Sequence, residues 1–318
     1  MIITSPPRPR TEIRWHRPLM ALSAAMVALV VVSAIGLLVD DRLINGSPAW
    51  FKPFKFGVSF ALFGATLAWM LTLTRRAPRT GWWAGTVVAV VSFAEMAAIV
   101  TQVVRGKASH FNNETDFDQT LFSVMGTMIV VLWTATLVVS VVVSLRSDLE
   151  PATTWAIRLG TGLSLVGMLL AFLMTQPTAA QEAELDADHH VPAIGAHSVG
   201  VPDGGPSMPV TGWSTTGGDL RIPHFIGIHA LQALPLLSLL LIALAARIPA
   251  LANSTTRLRL VLIAAAGYAA LIALLTWQAL RGQPLLHLDA QTLTAAAALV
   301  VVLAISTTVT LKARSYSP

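Results

Sequence analysis

The sequence predicts an all-α polytopic membrane protein of eight transmembrane helices, which an internal repeat would divide into two parallel four-helix repeats. Three observations carry that prediction. Of 318 residues, 54% are hydrophobic and only 12% charged, about half the charged share of a soluble domain. Mean hydropathy is +0.68. Eight segments are long enough to cross a hydrocarbon core, which takes about 20 apolar residues. They lie near Pro18–Val39, Phe56–Thr74, Trp82–Val104, Leu121–Leu145, Thr153–Thr175, Pro223–Ala246, Leu258–Leu280 and Ala290–Leu311.

Residues 1–17 form a basic N-terminal segment with Arg8, Arg10, Arg14 and Arg17. A signal peptide has this flank, but here the apolar run is long and the following DDRLINGSPAW offers no small-x-small cleavage site, so the first span is retained. Before the second span, PAWFKPFKFG places Lys52 and Lys55 among Trp50, Phe51 and Phe54. That pattern fits an interfacial aromatic belt with snorkelling amines, or a cationic rim. The third span holds Glu95, the only acid within a span. A carboxylate at that depth costs about 2.5–3.5 kcal/mol on insertion scales, so it is protonated or paired.

The loop SHFNNETDFDQTLF (109–122) contains the start of the fourth helix, with Thr115 and Asp118 arranged as a cap. Residues 146–152 connect two four-helix halves, 18–145 and 153–311. The second half contains the long loop 176–222, whose first part is acidic and reads as solvated around His189, His190 and His197. Its later part, PDGGPSMPVTGWSTTGGDLRIP, reads as a folded-back loop from its glycines, prolines and Trp213. Pro235 is a candidate kink in the sixth span, and residues 312–318 form the tail.

Basic residues in short loops set the orientation. The N-terminus, Arg75, Arg76 and Arg79, then Arg247, Arg257 and Arg259, and finally Lys312 and Arg314, fall on one side of an eight-span chain. This implies the cytoplasmic membrane of a bacterium with both termini cytoplasmic. Lys52, Lys55, Arg105, Lys107, His110, Asp219, Arg221, His224, Arg281 and His287 then gather at the extracytoplasmic face, with His229 about a turn and a half below.

An internal repeat appears in AIVTQVVRGK (98–107) and LLTWQALRGQ (274–283), where Gln102, Arg105 and Gly106 recur as Gln278, Arg281 and Gly282. Both copies end the third helix of a half. An even number of spans per half makes the repeats parallel.

Chemistry is confined by what is missing. Without cysteine there are no disulfides, thiolate metal sites or cysteine nucleophiles. The net charge of +5 lies in short loops rather than on a stripe, which argues against nucleic acid. His224 and His229 are five residues apart and so point about 140° apart on a helix, which prevents them from chelating one ion together. Each requires a partner elsewhere, His110 or His287 being the candidates, with haem b as the shared ligand. Glu95, Gln102 and Arg105 form a polar stripe on one helix face, suited to proton conduction, ion coupling or an interhelical hydrogen bond. Arg105, Arg221 and Arg281, with Gln278, are candidates for holding an anionic solute.

Eight spans in two halves with outer-face histidines resemble the architecture of heme A synthase. The chain has neither that family's glutamate-and-histidine-arginine loop signature nor a histidine in each of four helices, so no residue role is carried over. The expected function is an outward-facing polar site in a haem-binding redox protein. A proton-coupled transporter of a small anion, or an extracytoplasmic-side enzyme or assembly factor, are the alternatives. The corresponding partners are the lipid bilayer and a small anionic ligand or redox partner.

Overall fold

The computed structural model describes residues 14–74, 76–145 and 149–312. Arg8, Arg10, Arg75 and Arg314, most of the N-terminal segment and tail, and connector residues 146–148 lie outside the described residues. Among the described residues, eight helices are long and apolar enough to cross a membrane. They are α1 (Arg17–Val39), α2 (Phe51–Thr72), α3 (Pro78–Arg105), α4 (Asp116–Ser144), α5 (Pro151–Leu169, continued as a 3₁₀ turn over Leu170–Thr175), α7 (Arg221–Leu244), α8 (Ser254–Leu280) and α9 (Ala290–Lys312). The protein is an all-α polytopic membrane protein, and its spans imply contact with lipid.

Several helices extend beyond their apolar runs because end chemistry, not hydropathy, fixes where they start. Helix α2 begins at Phe51, five residues before the expected Phe56, with Pro53 tolerated in its first turn. Helix α4 begins at Asp116 because the Thr115 side chain accepts the Asp118 N–H, with two acids in the first turn. Within the long loop, α6 (Ala179–Asp186) forms on a capping box between Thr178 and Gln181. The acidic composition had read as plain solvated loop.

Helices α1 and α2, and likewise α5 and α7, meet through small residues. Gly57 and Gly64 of α2 lie against Val30 and Ser23 of α1, where an added Cβ would come within 2.9 and 2.7 Å of side-chain atoms. Gly160 of α5 lies against the Ala230 carbonyl of α7, and Gly167 touches Gly227 backbone to backbone. Such contacts let helices approach closely where lipid offers no hydrophobic drive. The main core is built from α1–α4 with Ile157, Leu165 and Leu231 leaning on it. A second cluster joins α5, α7 and α8. The Trp133 indole N–H donates to the Leu165 carbonyl at 3.1 Å, tying α4 to α5. Helix α9 is peripheral, with Thr292 its only buried residue.

The connections at the end opposite the termini fold together. The α1–α2 loop is a hairpin, β1 (Leu43–Ile44) and β2 (Ser47–Pro48), turned at Asn45-Gly46 with both φ values positive. The long loop contributes a second two-stranded pairing, β3 (Ser198–Val199) with β4 (Gly218–Asp219). It is also bridged to the α3–α4 loop between Ala193 and Asn112.

Candidate functional site

Beneath these loops lies a cavity of ≈ 150 Å³. Its walls are the Asn45-Gly46 hairpin, the first turn of α2, the α3–α4 loop, the long loop and the start of α7. Lys52, Lys55, Lys107 and Arg221 supply its positive charge, and Asp203 is the only carboxylate among its described lining residues.

The four cations differ in how they are engaged. Arg221 grips Asp219 through two nitrogens, at 2.9 and 2.5 Å, and donates to the Gly212 carbonyl at 2.6 Å. Asp219 is fully buried and also accepts the Ser214 N–H, so this pair staples the folded-back loop. Lys107 is paired with Glu114. Lys55 donates to the Thr211 carbonyl at 2.8 Å and lies over the Phe51 ring, but has no carboxylate partner. Lys52 has neither hydrogen bond nor ion pair among the described residues. Its ammonium is 5.9 Å from the Phe56 ring centre and within electrostatic reach of Asp203 and Glu95.

Two imidazoles face the same space. His197 Nδ1 bonds to Asp203 Oδ2 at 2.7 Å, and the backbone N–H groups of His197 and Ser198 donate to the same carboxylate. Burial acts to raise the Asp203 carboxyl, but those bonds and the His197 charge outweigh it and hold it well below the ordinary carboxylate range. Burial lowers His197 against the opposing pull of Asp203, helped by Arg221 and Lys52. His110 sits among Phe56, Phe111 and Phe122 with its Nδ1 3.2 Å from the Ser109 hydroxyl. Burial pushes it well below the usual imidazole range, with the Lys52 and His197 charges adding to the effect.

No known family, curated protein or solved structure matches this chain. The site therefore has to be read from its own chemistry.

Of the four histidines expected to bind a cofactor, only His110 lines the cavity. His224 uses Nδ1 on the Gly167 carbonyl at 2.8 Å, bracing the α5–α7 crossing. His229 packs at 4.4 Å against Phe225, with Nδ1 3.2 Å from Gln232 Oε1 and a buried Nε2 that has no partner. His287 lies exposed on the α8–α9 loop.

The stripe of Glu95, Gln102 and Arg105 divides. Gln102 Nε2 donates to the Ala108 carbonyl at 3.0 Å and to Asp118 at 2.8 Å; Arg105 bonds to Gln102 and to Asp118, each at 2.5 Å. Those two residues fasten the end of α3 to the first turn of α4. Glu95 joins neither, and its Oε1 is buried without a hydrogen bond. In the second half, Gln278 donates to the Pro284 carbonyl at 2.8 Å. Arg281 is engaged with Asp289 and with Thr292, 3.2 Å from its hydroxyl.

Sequence reasoning placed Lys52 and Lys55 at the rim but gave no means to tell them from anchoring amines. It left His197 in a solvated loop. The available signal was the turn-forming Asp203-Gly204-Gly205, six residues after that histidine, with Gly204 at φ +87° and against Asn45.

Proposed function

We propose that this protein is a proton-coupled transporter that accepts a small anion from the extracytoplasmic side, with Lys52 as the receiving charge and Glu95 as the coupling group. Lys52 carries the reading: it lines a partly open cavity and has, among the described residues, no hydrogen bond and no ion pair. A charge drawn partly out of water without a counter-charge is stabilised by a ligand that completes its surroundings. Glu95 supports the coupling, because its one nearby counter-charge is Lys52. An anion that occupies Lys52 withdraws the charge favouring ionised Glu95, so anion and proton enter together.

Proteoliposomes loaded with protein would test this with radiolabelled phosphate and malate under an inward proton gradient. Uptake should depend on the gradient in the wild type and lose that dependence in Glu95→Gln. Uptake no greater than in empty liposomes, or unchanged in both Glu95→Gln and Lys52→Gln, would overturn it. The sidedness rests on the basic short loops, which put both termini in the cytoplasm. Reporter fusions at the C-terminus and within residues 176–222 should report opposite sides.

A duplication of four spans is part of the same reading. Gln102 and Gln278 each donate to the carbonyl six residues onward. Gly106 and Gly282 have φ of 69° and 70°. Arg105 and Arg281 each bond to an acid and lie over an aromatic ring at 4.3 Å.

Haem b binding through His229 is the second reading, favoured by its buried, unpartnered Nε2 beside a hydrogen-bonded Nδ1. When bound, haem would supply electron-transfer chemistry, and the protein's part would be to fix the imidazole through Gln232 and Phe225. Absorption spectra of oxidised and dithionite-reduced protein should then show a Soret band that His229→Ala removes. A flat spectrum from protein expressed with ample haem excludes it.

A further inference from the structure

The cavity contains a recognition element besides its charge. His197 Nδ1 is committed to Asp203, whose carboxylate is itself fixed by two backbone N–H groups. A carboxylate at Nδ1 holds the proton on that nitrogen and leaves Nε2 as an acceptor. Nε2 has no partner among the described residues and is not sealed from solvent, and the residue lines the cavity. Opposite in character stand Lys52 and Lys55, two cations without carboxylate partners. Arg221 and Lys107 are already paired.

We infer that the site selects a compact dianion bearing one O–H donor, the charge received by Lys52 and Lys55 and the hydroxyl donated to His197 Nε2. This rests on the cavity being an anion site. Two unpaired cations match a double negative charge. One fixed acceptor disfavours a ligand that offers only acceptors, because lone pairs would then face each other at close range. Hydrogen phosphate and malate have this chemistry. Sulfate and succinate match them in charge and approximate size and lack the donor.

Calorimetric titration of the detergent-purified full chain with these four sodium salts separates the possibilities. At about pH 7.5 phosphate is still mainly the dianion, its second ionisation lying just below that pH. Hydrogen phosphate should bind about tenfold or more tightly than sulfate, or malate than succinate, the size of effect expected when an acceptor facing the ligand is left unpaired. His197→Gln should bring the preferred pair close to equality while retaining charge-driven binding. Asp203→Asn tests the same point without removing the ring. It allows the proton to move to Nε2 and should likewise erase the preference. Equal binding within both pairs would overturn the donor rule and leave the anion site standing. A preference that survives both variants would overturn the role of His197. If none of the four salts binds, the anion site itself fails, and with it this inference.

Discussion

Replacing Asp118 by Asn should weaken the fold far more than the same change at Asp289, although each acid pairs with the arginine that ends the preceding helix. Asp118 is fully buried at its side chain and receives Gln102 at 2.8 Å, Arg105 at 2.5 Å and Thr115 at 2.7 Å. An amide there loses the charge and turns an NH₂ toward groups that are themselves donors. Breaking a buried pair costs roughly 3–5 kcal/mol. Arg105 keeps 34% of its side chain in solvent, which returns part of that through hydration. About 2–3 kcal/mol remains. Asp289 and Arg281 are 38% and 31% exposed, and pairs of that kind contribute roughly 0.2–1 kcal/mol. Asn also caps a helix about as well as Asp, so Asp289→Asn removes little else. Reversible unfolding in mixed micelles, followed by tryptophan fluorescence, measures both. Equal losses, within about 0.5 kcal/mol, would refute the claim that the first fastener is the buried and dominant one.

Three further outcomes are expected. Gly167→Leu should yield little folded protein, because a side chain there meets the Gly227 backbone, whereas Gly126→Leu, with nothing within 4 Å, should be tolerated; detergent gel filtration distinguishes them. His110 and His197 have folded-state pKa values below the ordinary imidazole value of 6.5. The unfolded chain therefore binds more protons as pH falls below that value, and stability is full above it and lost progressively beneath it. The slope is on the order of 1 kcal/mol per pH unit for each imidazole, and melting scans of wild type and His110→Phe should show the variant's fall to be shallower. Finally, Lys107→Gln should leave anion affinity nearly unchanged, since Glu114 already occupies that lysine, as titration with hydrogen phosphate would show.

Hydropathy made the eight spans legible because burying backbone in lipid demands long helices, and that demand is written in consecutive apolar residues. Helix starts were less legible: Phe51 and Asp116 begin helices with polar or charged first turns that a hydropathy window rejects. The Thr115–Asp118 cap was readable since its spacing is local. The repeated Gln-x-x-Arg-Gly was also readable, but not that its arginines would be spent on Asp118 and Asp289 rather than on a ligand. That depends on contacts 13 and 8 residues away. The cavity itself was hidden for the same reason. It joins Lys52, His110 and His197, three residues that periodicity within any single helix cannot bring together.

The central claim is that Lys52 is a ligand-receiving charge, and equilibrium titration of purified wild type and Lys52→Gln with hydrogen phosphate and malate tests it most directly. Saturable binding of at least one anion in the wild type, weakened about tenfold or more in Lys52→Gln, is the predicted result. Absence of saturable binding, or affinity indifferent to Lys52→Gln in a folded variant, would contradict it.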